Sequence, residues 1–125
     1  DTLNGWIVGM DGVVIHTATG GTDWRRLPAA TDKPLYSIVC PGDRGWIVGN
    51  KGAYLTTAFP EKTWAVDEEA IKTKFWLREA DFADPLHGII VGARGTIART
   101  ENGGESWELV SGLSYEMEEY GLVDF

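Results

Sequence analysis

The sequence predicts an all-β fold assembled from repeated four-stranded sheets. Three observations predict it. Glycine and tryptophan are both abundant, at 16 and 6 in 125 residues. A glycine-bounded, strand-like motif recurs three times. The recurrences keep one period along the whole chain, termini included. Many glycines alone would suit a disordered chain, but six tryptophans and 43% hydrophobic residues do not. Short strands joined by tight turns use both.

The motif has three parts. The first copy reads Gly5-Trp6-Ile7-Val8-Gly9, then Gly12-Val13-Val14-Ile15-His16-Thr17, then Gly20-Gly21-Thr22-Asp23-Trp24. The second reads Gly45-Trp46-Ile47-Val48-Gly49, then Gly52-Ala53-Tyr54-Leu55-Thr56-Thr57, and ends at Thr63-Trp64. The third reads Gly88-Ile89-Ile90-Val91-Gly92, then Gly95-Thr96-Ile97-Ala98-Arg99-Thr100, then Gly103-Gly104-Glu105-Ser106-Trp107. The closing tryptophans at 24, 64 and 107 are spaced by 40 and 43, and joining residue 125 back to residue 1 gives 42. The chain is expected to hold three whole periods.

Each copy supplies three strands. Gly-Trp-Ile-Val-Gly is short, β-rich and bounded by glycines. Two residues separate its last glycine from the next, as in Gly9-Met10-Asp11-Gly12, and a glycine at φ > 0 there closes a hairpin. The following strand carries consecutive apolar residues, so burial on both faces is expected. A Gly-rich turn then leads to the Trp strand. A further strand precedes the motif at about Leu35 to Cys40 in the second copy and Trp76 to Ala83 in the third. The first copy has only four residues in front of Gly5, and the matching segment stands at the other end, Tyr120 to Phe125. Trp64 to Phe82 and Trp107 to Phe125 are both 18 residues, and Asp81-Phe82 matches Asp124-Phe125.

With strands lettered A to D, the chain reads BCD-ABCD-ABCD-A. Four-stranded repeats of about 40 to 45 residues are the signature of β-propeller blades. The expected organisation is strands B to D of one blade in residues 1–28, a second blade in 29–68, a third in 69–112, and a strand A in 113–125 that completes a blade, that of a neighbouring chain. Propellers have about 4 to 8 blades. Three blades leave two broken edges and bare apolar end faces, so a homodimer with six blades in one ring is expected.

The turn after strand C resembles the Asp-box, or bacterial neuraminidase repeat, in which Ser/Thr-x-Asp-x-Gly-x-x-Trp/Phe shapes the turn. Thr17, Thr19, Gly21 and Trp24 fall on that pattern, as do Thr100, Asn102, Gly104 and Trp107. Thr19 and Asn102 stand where the pattern has Asp, and both can bond to turn backbone. The copy from Thr57 to Trp64 lacks the glycines, and Pro60 is expected to set a different turn. The whole motif is similar to the photosystem II stability/assembly-factor family of propellers. That resemblance implies a non-catalytic scaffold docking another protein or peptide, with export from the cytoplasm. The same box occurs in sialidases, so a carbohydrate-binding or sialidase-like protein is the alternative the resemblance leaves.

Composition narrows the function. Eleven Lys and Arg against 19 Asp and Glu give a net charge of −8, which argues against nucleic acid and against an anionic membrane surface as partners. No apolar run is long enough to span a bilayer, so membrane insertion is not expected. A single cysteine, Cys40, excludes an intrachain disulfide and a cysteine-cluster metal site. His16 and His87 have no metal-ligand spacing and face no evident nucleophile, so no catalytic residue, metal or cofactor is expected. His16 is expected to be a satisfied strand histidine. The acidic stretches Asp67-Glu68-Glu69 and Glu116, Glu118, Glu119 read as solvated connections. Trp6, Trp24, Trp46, Trp64 and Trp107 are expected between blades. Trp76 has no counterpart in the other copies and is the expected exposed aromatic. Arg44, Lys51 and Arg94, in loops beside strand B, and Arg78, on strand A, are expected to form with Trp76 a basic patch at one channel mouth, suited to a peptide carboxylate.

Overall fold

A computed structural model describes residues 2–60 and 62–111 of the chain. They form three antiparallel sheets in sequence order. The first holds β1 (Gly5–Val8), β2 (Val14–Thr17) and β3 (Arg25–Arg26). The second holds β4 (Leu35–Val39), β5 (Gly45–Gly49), β6 (Tyr54–Thr57) and β7 (Ala65–Val66). The third holds β8 (Leu77–Phe82), β9 (Gly88–Gly92), β10 (Ile97–Thr100) and β11 (Glu108–Ser111). Each sheet is a meander, and no strand crosses between sheets. These are β-propeller blades. The segment expected to supply strand A of the first blade, Tyr120 to Phe125, lies outside the described residues, as do Glu116, Glu118 and Glu119.

One register runs through all three blades. The glycine opening strand B pairs with the threonine closing strand C: Gly5 with Thr17, Gly45 with Thr57, and Gly88 with Thr100. The glycine ending strand B lies against strand A. A side chain at Gly49 would fall 2.3 Å from the Pro34 carbonyl oxygen, and one at Gly92 would fall 2.4 Å from that of Trp76. These backbones are extended, so the glycines are required by close approach and not by conformation.

Alternation along the strands feeds two inter-blade cores. Ile47 and Leu55 face the first blade and pack with Val14, Leu27, Leu35, Ala53 and Trp64. Trp46, Val48 and Tyr54 face the third blade and pack with Ile71, Leu77, Ala80, Ile90 and Ala98. The middle blade is thus buried on both faces, and every residue of β5 is buried. Burying a large apolar side chain contributes about 1.5–3 kcal/mol, so these two joints hold the blades side by side.

The C–D turns are built by side chains. Thr17 Oγ1 accepts from the N–H of Thr19 at 3.2 Å and of Gly21 at 3.1 Å, and Thr19 Oγ1 accepts from the Asp23 N–H at 2.8 Å. Thr100 Oγ1 accepts from the Gly104 N–H at 2.9 Å, and Asn102 Oδ1 accepts from the Ser106 N–H at 3.1 Å. Gly20, Gly21, Gly103 and Gly104 all have positive φ. In the second blade the Pro60 carbonyl accepts the indole N–H of Trp64 at 3.0 Å and of Trp6 at 3.2 Å. Trp6 belongs to the preceding blade, so that turn also ties two blades together.

Trp24 departs from expectation. Trp64 is buried and Trp107 partly buried, but Trp24 is exposed, because no sheet among the described residues stands in front of the first blade. His16 is buried, with Nε2 2.9 Å from Asn4 Oδ1 and its ring against Trp6.

Candidate functional site

The B–C turns define one end of the blades. In each turn the first carbonyl accepts the N–H three residues on: Met10 from Val13, Asn50 from Ala53, and Ala93 from Thr96. Both central residues have positive φ: Asp11 and Gly12 at 59° and 70°, Lys51 and Gly52 at 53° and 73°, Arg94 and Gly95 at 60° and 69°. This is the hairpin geometry that matches strand twist. A non-glycine residue there carries a conformational cost of about 1–2 kcal/mol. Two of the three are cations, held in a sparsely populated conformation at equivalent points of neighbouring blades.

The connection from each blade to the next clamps these turns. A side chain at Gly12 would fall 1.8 Å from the Thr31 carbonyl oxygen, and one at Gly52 would fall 1.8 Å from that of Thr73. The Asn50 N–H also donates to the Pro34 carbonyl at 2.9 Å, and the Ala93 N–H to that of Trp76 at 2.9 Å. Strand A therefore starts at this same end.

Between β4 and β8 lies a cleft of about 780 Å³, lined by Tyr36, Ser37, Asn50, Trp76, Arg78 and Glu79. The rings of Tyr36 and Trp76 meet edge to face, with centroids 6.3 Å apart at 84°. The Arg78 guanidinium carbon is 5.9 Å from the centre of the Trp76 ring. Ser37 Oγ accepts the Ala80 N–H at 3.2 Å and fixes one blade to the next beneath the cleft. Both aromatic rings are exposed. An open notch of two perpendicular rings with a cation and a carboxylate can hold a flat or apolar side chain and orient a charged one.

Of the sequence-expected patch, Trp76 and Arg78 share the cleft, and Lys51 follows its Asn50 wall. Arg94 occupies the corresponding turn of the third blade. Arg44 does not join them. It precedes β5, at the opposite end of the strand from Lys51. Its guanidinium donates to the Gly103 carbonyl at 3.3 Å and to Thr56 Oγ1 at 3.5 Å, and lies 5.3 Å from the Trp46 ring centre. Arg44 is a strut between the second and third blades. Sequence proximity to strand B does not say which end of the strand a loop occupies, and that is where the grouping fails.

The inter-blade connections bring cations that the sequence reading passed over. Lys72 and Lys74 flank Thr73, and Lys33 lies one residue past the segment lodged against Gly12. Six of the 11 Lys and Arg residues thus belong to this end, Lys33, Lys51, Lys72, Lys74, Arg78 and Arg94. The acidic residues beside them are Asp11, Asp32, Asp67, Glu68, Glu69 and Glu79, so cations and anions balance at this end of a chain of net charge −8. The repeating contact of a connection with a Gly-containing turn is the signal that would have found the three lysines.

Chemistry elsewhere is sparse. No group of three His, Cys, Asp or Glu that could hold a metal occurs among the described residues. His87 Nδ1 lies 2.9 Å from Asp84 Oδ1 at an exposed turn. That bond, together with the backbone N–H groups of Leu86 and His87, holds the Asp84 carboxyl below its ordinary range. Burial pushes the Tyr54 phenol up, opposed by the indole donors of Trp107 and Trp46. Asp67 and Glu69 are exposed, and Glu69 pairs loosely with Lys72 at 3.5 Å.

No protein-family model matches the chain. It is similar to the photosystem II assembly lipoprotein Ycf48 of Synechococcus sp. (strain CC9902), 27% identical over 120 residues, covering 86% of this chain and 34% of that protein. A structure of Ycf48 bound to D1 peptide matches with a TM-score of 0.77 and 25% identity, over 88% of this chain and 37% of that one. Ycf48 from Cyanidioschyzon merolae matches in fold with a TM-score of 0.73 and 24% identity, over 92% and 38%. The chain spans about a third of the length of these relatives. Its fold is that of a β-propeller, similar to the photosystem II assembly factor Ycf48.

Proposed function

We propose that the protein is a non-enzymatic scaffold that binds an extended peptide segment of a protein partner at the end of the propeller formed by its B–C turns. The observation that carries this reading is the open Tyr36–Trp76 cleft with Arg78 in its wall, at the end of the blades where Lys51 and Arg94 stand in the B–C turns. The clamped turns supply rigidity, so little ordering cost falls on binding. The related Ycf48 structure with a bound D1 peptide supports a peptide as the ligand. The expected ligand presents an acidic side chain or a free C-terminal carboxylate to Arg78, Lys51 or Arg94, and an apolar or aromatic side chain to the notch. The separation of Arg44 from Arg78 and Arg94 speaks against an arginine cluster gripping a sialic-acid carboxylate. The lipoprotein relative supports export. Two copies forming a homodimer with six blades in one ring, each with the blade limits expected from the sequence, belong to the same proposal.

The test is fluorescence anisotropy with labelled short peptides that end in a free carboxylate or in an amide. The acidic, free-carboxylate peptide binds, binding weakens with salt, and Arg78→Ala with Lys51→Ala lowers affinity about tenfold or more. Equal binding of all peptides to the double variant would overturn the reading. Turnover or binding of sialosides would favour the carbohydrate alternative.

A further inference from the structure

Five of the six indole N–H groups have an acceptor inside the protein. Trp6 and Trp64 donate to the Pro60 carbonyl, Trp24 to that of Gly21, and Trp46 and Trp107 to Tyr54 Oη. The sixth, on Trp76, has no acceptor among the described residues, and Trp76 stands in the wall of the cleft between β4 and β8. Its backbone is held there, the carbonyl accepting the Ala93 N–H at 2.9 Å. The Tyr36 hydroxyl and the Asn50 side-chain amide of the same cleft likewise have no hydrogen-bond partner among the described residues. The cleft lies between two blades that both show all four strands.

β4 and β8 each pair on one side only, yet their free edges are poor templates for a further strand at this point. Each carries a bulge, with the register shifting between Leu35 and Ser37 and between Leu77 and Glu79. Tyr36 and Arg78 are the extra residues at equivalent positions of the two blades. A bulge interrupts the ladder that a ligand strand would extend and re-aims the extra side chain. Both extra side chains line the cleft. Ser37 Oγ also takes the Ala80 N–H at 3.2 Å, a main-chain donor that a strand added to β8 would use.

We propose that the cleft binds a proline-containing segment in the polyproline II conformation, and that the Trp76 indole N–H donates to one of its main-chain carbonyls. This rests on the peptide-binding reading above and names the class of peptide. A polyproline II backbone makes no internal hydrogen bonds, so its carbonyls are free to accept. Its prolines have no N–H that would need an acceptor. A surface offering an indole N–H, a phenol O–H and an amide NH2 matches such a backbone, where a ligand strand would instead need a regular sheet edge. The rings of Tyr36 and Trp76, at 84° to each other, form a corner against which a pyrrolidine ring packs, as in other aromatic-lined grooves that take this conformation. The segment is stiff before it binds, so little order is lost on docking. Arg78, beside the Trp76 ring, takes a carboxylate flanking the proline.

Three labelled peptides of equal length and charge, each ending in a free carboxylate, test the proposal on the full chain. They carry proline, alanine or valine at the same internal positions. In fluorescence anisotropy the proline peptide is expected to bind about tenfold or more tighter than the other two. In proton–nitrogen spectra the Trp76 indole signal, identified by its absence from Trp76→Phe, moves on binding while the other five indole signals stay in place. Trp76→Phe keeps an aromatic ring and loses the donor, so its affinity for the proline peptide falls about threefold or more. Should that variant fail to fold, sequential assignment in the unmodified chain identifies the same signal. A valine peptide that binds as tightly as the proline peptide, or a Trp76 indole signal that does not move, overturns this proposal and leaves the peptide-binding reading standing. Absence of binding by all three peptides overturns both.

Discussion

The two internal joints use the same repeat positions with different chemistry. Between the first and second blades the contact is mostly aliphatic, with Val14, Leu27, Ile47 and Leu55 around Trp64. Between the second and third it is aromatic. Phe82 stacks on Trp46 with ring centres 4.3 Å apart, and the indoles of Trp46 and Trp107 both donate to Tyr54 Oη, at 3.0 and 2.9 Å. Arg44 braces that same joint from outside. The backbone repeat thus sets where blades meet, and side chains decide how firmly and with what pH dependence. A non-directional aliphatic joint tolerates small shifts, while a polar network within an aromatic joint demands one arrangement.

The largest effect separates the joints outright. Trp46→Ala removes the most buried indole and is expected to destabilise by about 3–5 kcal/mol. The same change at the half-buried Trp6 costs clearly less, because less of its surface leaves water on folding. Chemical denaturation of both variants reads the gap, and equal losses would refute the ranking.

Glycine substitutions come next and compare the two ends of the blades. Gly52→Ala meets both a positive φ of 73° and the Thr73 carbonyl, so the loss exceeds the roughly 1 kcal/mol of conformational strain. Gly20→Ala has φ of 68° but only the Thr2 carbonyl oxygen and a Leu3 methyl at 3.5 Å or beyond, so strain alone remains. Thermal melts that rank Gly20→Ala as the worse change would contradict the clamped-turn geometry.

Tyr54→Phe sharpens the comparison within the aromatic joint. It orphans the buried Trp46 N–H, at about 1–3 kcal/mol, with a smaller contribution from the less buried Trp107. It also removes a pH dependence. The folded phenol titrates above its unfolded value of 10.0, so the folded state holds its proton longer. That stability is complete below pH 10.0 and declines as pH rises toward the raised folded value. The variant is expected to show a flatter alkaline profile in pH-dependent melts. The smallest effect lies at the opposite extreme of pH. Asp84 titrates below its unfolded value of 3.8, so its contribution is present above that pH and is lost as pH falls through the lower folded value. Asp84→Asn flattens the acid limb slightly, by an amount that salt reduces further.

Much of this architecture was legible in the residues. Gly-x-x-Gly spacing located the B–C hairpins, because few residues besides glycine adopt φ near 70° without cost. The structure adds the register, which pairs Gly5 with Thr17, Gly45 with Thr57 and Gly88 with Thr100. Trp76 stood out for lacking a counterpart, and it is exposed at the cleft. What was not legible depends on distance in space. The local difference between the turns before Trp24 and Trp64 does not foretell their exposure, which is set by whether a blade stands opposite. Arg44 reads like Lys51 along the chain, yet a strand separates them. Lys33, Lys72 and Lys74 look like ordinary connection charges until Thr31 and Thr73 are seen pressed against Gly12 and Gly52.

Amide hydrogen exchange with and without an acidic peptide shows whether the B–C turn end is the binding face. Slowed exchange is expected at Asn50 to Ala53, Ala93 to Thr96 and Trp76 to Glu79, weakening as salt is raised. Protection confined to the C–D turns, at Thr17 to Trp24 and Thr100 to Trp107, would place the peptide at the opposite end of the blades and contradict it.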